Sequence, residues 1–226
     1  MELNADFDVR AVVHSEQIPW IASPMPGVDR RMLDRIGDEV ARATTIVRYA
    51  PGSRFAPHVH DGGEEFVVLD GVFQDEHGDY PAGTYVRNPP TSRHTPGSEP
   101  GCTILVKLWQ FAAEDRTSMT LDMAAASLVR DEKRAGVTSA ELFADARECV
   151  RLEHWDAGAH VDLALPDGGE FFVLRGGFTE SGTAFGARAW LRLPRGSRLS
   201  AHAGPEGAEV WTKTGHLRYV RPPGPR

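Results

Sequence analysis

The chain repeats itself, and that limits its fold more than any other feature. Tyr49-Ala-Pro-Gly52 returns as Trp155-Asp-Ala-Gly158. Asp61-Gly-Gly-Glu-Glu-Phe-Val-Val-Leu-Asp-Gly71 returns as Asp167-Gly-Gly-Glu-Phe-Phe-Val-Leu-Arg-Gly-Gly177. The spacing is 106 at Gly52/Gly158, Glu64/Glu170 and Gly71/Gly177, and 105 at Pro89/Pro194 and Arg93/Arg198. Gly27-Val28 and Gly136-Val137 extend the match upstream. The repeat covers residues 27–111 and 136–220, too long for a solenoid unit. Two small domains in tandem are expected: residues 1–112 with N-terminal strands, a linker over 113–135, and residues 136–226.

Composition sets the class of those domains. The 226 residues include 23 Gly and 16 Pro, spread along the chain. The segments between them are short and rich in Val, Thr, Phe and Tyr, as in Thr44–Tyr49, Glu65–Asp70, Thr103–Trp109, Phe171–Leu174 and Ala189–Leu193. That pattern predicts an all-β sandwich or barrel. The spacing in Ser118–Val129 and Ser139–Ala146 predicts short helices, the first of them in the linker. A net charge of -7 argues against a nucleic-acid or anionic-membrane surface. No apolar run is long enough to span a bilayer, and the N-terminus has no signal-peptide pattern. Cys102 and Cys149 make no disulfide framework, so a cytoplasmic protein with reduced thiols is expected.

The chemistry is concentrated in Gly52-Ser-Arg-Phe-Ala-Pro-His58-Val-His60-Asp-Gly-Gly-Glu64. Two histidines two residues apart on a strand share a face. A Gly-rich turn brings Glu64 back to them. His94 comes 34 residues after His60 and can join the set from a distant strand. Imidazoles with a carboxylate suit a divalent metal of the zinc, iron, manganese, nickel or copper group. Strand alternation sends Glu65 to the opposite side from Glu64. His14, His77, His154, His160, His202 and His216 show no such pattern.

These residues resemble the first motif of the cupin superfamily, Gly-x5-His-x-His-x3-Glu-x6-Gly, met at Gly52, His58, His60, Glu64 and Gly71. The second cupin motif is met at the Pro81-x-Gly83 turn, but its histidine comes late, at His94. In this respect Asp75–Pro96 resembles the cupin-like domain of the ChrR zinc anti-sigma factors. The resemblance implies a double-stranded β-helix (the cupin jelly roll), here as two tandem barrels, a bicupin. It also implies a ligand set of His58, His60, Glu64 and His94. The family's anti-sigma half carries a His-x3-Cys-x2-Cys zinc motif; this sequence has no Cys before Cys102. At the spacings above, Ala164, Pro166, Glu170 and Leu199 stand at the ligand positions of the second copy, so a degenerate barrel without a metal is expected there.

The expected function is a ChrR-like sensory or regulatory module of the oxidative-stress type, binding one divalent metal, zinc first among the candidates. The alternative is a metal-dependent dioxygenase acting on a small organic substrate, and the reading leans away from an enzyme. Phe66, Tyr85, Arg87, Arg93, Lys107 and Trp109 are the candidate pocket residues, with Phe55 and Phe73 as further apolar wall. A regulatory protein or a small molecule is the expected partner, and a homodimer the expected assembly. No nucleophile-elbow, phosphate-loop or dinucleotide fingerprint occurs.

Overall fold

The structure is a computed structural model and describes residues 1–38 and 40–223. Among the described residues it consists of antiparallel strands and three 3-10 turns, with no α-helix. No helix there is long and apolar enough to cross a membrane. The chain divides into two compact units. The first comprises Met1–Ala5, Ile18–Ala124 and the stretch from Arg221; the second comprises Asp6–Gln17 and Ala125–Val220. Asp6–Gln17 thus belongs with the second half of the sequence, where Ala11–His14 pairs with Ala189–Leu193.

The two expected helices are strands. Met119–Asp122 pairs with Thr84–Asn88, followed by a single 3-10 turn over Met123–Ala125. Val137–Ala144 pairs with Cys149–Trp155. Met119, Leu121 and Met123 fit a period of two as well as a helical one, and neighbouring strands decide between the two. Burial alternates along Met119–Asp122 accordingly.

In the first unit the sheet runs Glu2–Leu3, Val28–Gly37, Ala41–Tyr49, Cys102–Leu108, Glu64–Asp75, Thr84–Asn88, Met119–Asp122. A separate ribbon pairs His58–His60 with Ser92–His94. The interior is built from alternate residues: Val28, Val47, Phe66, Val68, Phe73, Val86, Cys102, Ile104 and Val106. Each fully buried Val, Ile or Phe contributes about 1.5–3 kcal/mol. Phe66 and Phe73 are an odd number of residues apart yet share this interior. A bulge reconciles them: Val68 pairs with Ile104 and Asp70 with Thr103, leaving Leu69 unpaired, and an extra residue reverses the face of all that follows.

The second unit repeats this plan around its own core, which includes Val161, Leu165, Phe171, Val173, Leu199 and Val210. Its pairings correct the equivalence between the copies. His94 pairs with His58 in the first unit, and Leu199 pairs with Leu163 in the second. Glu64 lies opposite Leu108, and Gly169 opposite Thr214. The positions matching His58, His60, Glu64 and His94 are therefore Leu163, Leu165, Gly169 and Leu199, at a constant spacing of 105. Glu170 corresponds to Glu65, not to Glu64. The missing residue falls before the histidine strand, between Gly52/Gly158 and His58/Leu163. Three leucines close the second core where the first unit carries imidazoles.

Gly71 (φ 69°) and Gly176 (φ 64°) are paired at this same spacing. A Cβ at Gly71 would lie 2.0 Å from the Gly101 carbonyl oxygen, whereas one at Gly52, also left-handed, would meet nothing within 4 Å. Gly52→Ala is expected to cost about 1–2 kcal/mol from the left-handed backbone alone. Gly71→Ala must displace the neighbouring strand as well, and its melting temperature should fall further. Equal melting temperatures for the two variants would contradict this account of the bulge.

Candidate metal centre

Three strands deliver the centre. The ribbon sets His58 directly opposite His94, and His60 shares a face with His58. The turn after His60 is closed by a hydrogen bond from the Gly63 amide to the His60 carbonyl, 3.2 Å. It brings Glu64 in at the head of its strand. The glycines of this turn have a steric reason: a Cβ on Gly62 would strike the Trp109 ring, and one on Gly63 the Phe111 ring.

The three imidazoles converge with centroids 4.7, 5.1 and 4.8 Å apart, and one ring nitrogen from each lies within 4.8 Å of the others. His60 Nε2 is 2.9 Å from His94 Nε2. Glu64 Oε2 lies 3.4 Å from His60 Nε2 and 3.7 Å from His94 Nε2. Asn88 steadies that oxygen by donating from Nδ2, 3.2 Å. His60 and His94 are buried, and His58 is exposed.

The outer nitrogens orient the rings. His58 Nδ1 is 3.2 Å from the Ala56 carbonyl oxygen, which can only accept, so Nδ1 carries the hydrogen and Nε2 keeps its lone pair. His94 Nδ1 is 3.2 Å from Asp75 Oδ2, which fixes that ring in the same way. A ligating histidine whose other nitrogen donates to a carbonyl or carboxylate is the usual arrangement at metal sites. Nitrogen lone pairs and a carboxylate oxygen this close repel one another unless a proton or a metal cation lies among them. The donor set therefore fits a divalent metal of the kind that takes imidazole and carboxylate.

Titration follows the same surroundings. Burial lowers the pKa of His60, and His94 and His58 add to the fall against the pull of Glu64. At His94 burial works against the charged form, but the hydrogen bond to Asp75 and the charge of Glu64 outweigh it and raise the pKa. Asp75 is held below its ordinary range, burial notwithstanding, by His94, the His77 amide and Tyr80. Burial pushes the Cys102 thiol up to about 11, and Cys102 packs in the core of the first unit.

The candidate pocket residues separate by strand parity. Phe66 lies in the core and Phe73 packs on His94 at 5.7 Å. Tyr85, Arg87 and Lys107 alternate with inward-facing Val86 and Val106 and so take the other face of the sheet. There Tyr85 donates to Glu65 Oε1 at 2.5 Å, Arg87 to Asp115 at 3.1 Å, and Lys107 to Thr44 Oγ1 at 2.9 Å. Arg93 is exposed. Trp109 does border the site. It lines a cavity of about 390 Å³ that also touches His58, His60 and Glu64 and is walled by Val47, Phe55, Ile104 and Val106. The sequence analysis missed Asp75 and Asn88 as orienting residues, and Arg30 and Arg35, which line this cavity. No motif marks them; only folding brings them to the histidines.

Residues 8–112 match the family model of the ChrR cupin-like domain. Over these residues the chain is similar to that domain. Solved structures extend the cupin fold over nearly the whole chain. One described as a candidate dioxygenase from Nostoc punctiforme superposes with a TM-score of 0.77 at 16% identity, covering 97% of this chain and 88% of its own. The bacterial pirin YhhW of Escherichia coli, in complex with nickel(II), gives 0.65 at 15%, covering 91% and 98%. An oxalate decarboxylase variant from Bacillus subtilis gives 0.61 at 12%, covering 91% and 77%. At these identities the likeness is one of fold. No curated protein matches the sequence.

Two variants test this cupin centre. His60→Ala should abolish metal binding, because it removes a donor at the point of convergence. Asp75→Asn should retain the metal but weaken its affinity about 10–100-fold, the usual cost of losing an orienting partner. Competition titration with a chromogenic chelator reads both. Unchanged affinity in Asp75→Asn would mean that this carboxylate does not orient His94.

Proposed function

We propose that this cupin is a metal-dependent enzyme of the dioxygenase type, working on one small organic substrate in its first unit. The observation that carries the proposal is the cavity of about 390 Å³ that reaches His58, His60 and Glu64. That volume lies in the range of small-molecule sites. A bound divalent metal supplies Lewis acidity there and, if it is iron, manganese, nickel or copper, a centre able to engage O₂. The chain's own residues do the rest. His58, His60 and His94 present Nε2 to the ion, and Ala56 and Asp75 hold two of the rings in the tautomer that permits it. Asn88 aims Glu64. The apolar wall of Val47, Ile104 and Val106 keeps water from the reacting end of the substrate. The structural likeness to the Nostoc protein described as a candidate dioxygenase supports this reading.

A second reading is the ChrR-like sensory module with a regulatory protein partner, favoured by the family match over residues 8–112. In that case the metal would be zinc, its positions filled by four protein ligands. An oxygen-electrode screen of the metal-loaded protein with diketone, thiol and phenolic compounds separates the two. The enzyme reading expects O₂ uptake with at least one compound class and, with labelled O₂, both oxygen atoms in the product. Zinc as the metal of the protein as isolated, with no uptake in any metal form, would contradict it and favour the sensory module.

A further inference from the structure

The cavity beside the histidines holds two arginines, which strand geometry places there. In Val28–Gly37, Arg30 pairs with Val47 and shares the inward face with Val28, two residues before it. Met32 pairs with Thr45 and Asp34 with Thr44, leaving Leu33 as a bulge. The bulge reverses the alternation, so Arg35, opposite Ala43, also faces inward. Both arginines line the cavity with His58, His60 and Glu64. Arg35 lies in the register row of Glu64, through Ala43 and Leu108. Three strand spacings of about 4.8 Å separate them along the sheet, at most about 14 Å.

The two arginines differ in commitment. Arg35 donates to the carbonyls of Gly37 and Asp38. Arg30 has no hydrogen-bond or ion-pair partner among the described residues, and its Nε is buried without one. Arg30 is half-buried: its buried Nε, left without an acceptor, carries a cost that a bound acceptor relieves. The charges around the cavity favour an anion: Arg30, Arg35 and a divalent ion outweigh Asp61 and Glu64, and Glu64 is taken up by the ion. The apolar wall favours an anion with a hydrocarbon body. The second unit offers an internal comparison. Where the histidines are replaced by Leu163, Leu165 and Leu199, the residue in the place of Arg30 is Ser139, paired with Glu153 as Arg30 is with Val47. The metal ligands and the arginine are absent together.

We propose that the cavity of the first unit binds a small organic carboxylate, its carboxylate held by Arg30 and its body directed toward His58 and His60. Arg30 is the group of choice because a planar guanidinium meets a carboxylate with two parallel hydrogen bonds. The proposal takes from the enzyme reading only the place of the metal. Its test is calorimetric titration of the full-length protein with acetate, butyrate and benzoate, each against its uncharged amide, and with inorganic phosphate. Metal content is measured on the same samples. At least one carboxylate should bind about ten-fold or more tightly than its amide. Arg30→Gln should bring that ratio close to one with metal content unchanged, and Arg30→Lys should restore part of it. Equal affinity for carboxylates and amides, binding of phosphate alone, or full preference retained in Arg30→Gln would each overturn the proposal. A carboxylate preference lost in Arg30→Gln but present in protein that takes up no metal would sustain the anion site and sink the enzyme reading.

Discussion

The structure depends on which face of a strand each side chain takes. In Glu64–Asp75 one residue of displacement separates a carboxylate that meets two imidazoles from one that bonds Tyr85 on the other side of the sheet. The same rule puts His58 and His60 together, with Val59 exposed between them. It places Val86 and Val106 in the core while Tyr85, Arg87 and Lys107 leave the site. Bulges at Leu33 and Leu69 are the points where the rule is reset, and each returns a functional or core side chain to the interior. Register specifies this centre because a slip of one residue would turn every ligand outward.

The comparison of the two units shows the same constraint acting in the opposite sense. The second unit keeps a glycine, Gly168, in the place of Gly63, the bulge and the outward-facing Glu170, buried and bonded to Trp190 and His216. It has exchanged the three histidines for leucines and Glu64 for Gly169. A core without a metal must be filled with apolar side chains, since an unpaired buried imidazole or carboxylate is costly. Leu165 and Leu199 are 2% and 0% exposed, and nothing polar stands where His60 and His94 stand in the first unit. The fold survives this exchange because the strands, not the metal ligands, carry the pairing.

Much of this was legible in the sequence. The all-β class follows from the Gly- and Pro-punctuated segments, the shared face of His58 and His60 from their spacing on a strand, and the approach of Glu64 to His60 from the Gly-Gly turn between them. His94 was placed by resemblance, and the ribbon pairing puts it opposite His58. The alignment of the copies was off by one residue through the histidine strand, because Glu64-Glu65 and a lone Glu170 give identity matching no means of choosing between faces. Hydrogen-bonded partners make that choice. The helices expected near residues 118 and 139 were strands because short apolar runs fit both periods. Asp75 and the arginines escaped notice because nothing local distinguishes them from surface charges. Arg30 in particular looks like one of several arginines until the bulge and the cavity show where it points.

The central claim is that one unit holds a metal and the other has replaced the site with leucines. The most direct measurement is elemental analysis of the full-length protein after saturation with a divalent metal and removal of the excess. The account predicts one equivalent per chain. Two equivalents would mean that the second unit binds through residues other than those at the equivalent positions, and none would mean that the three histidines and Glu64 are not a metal centre.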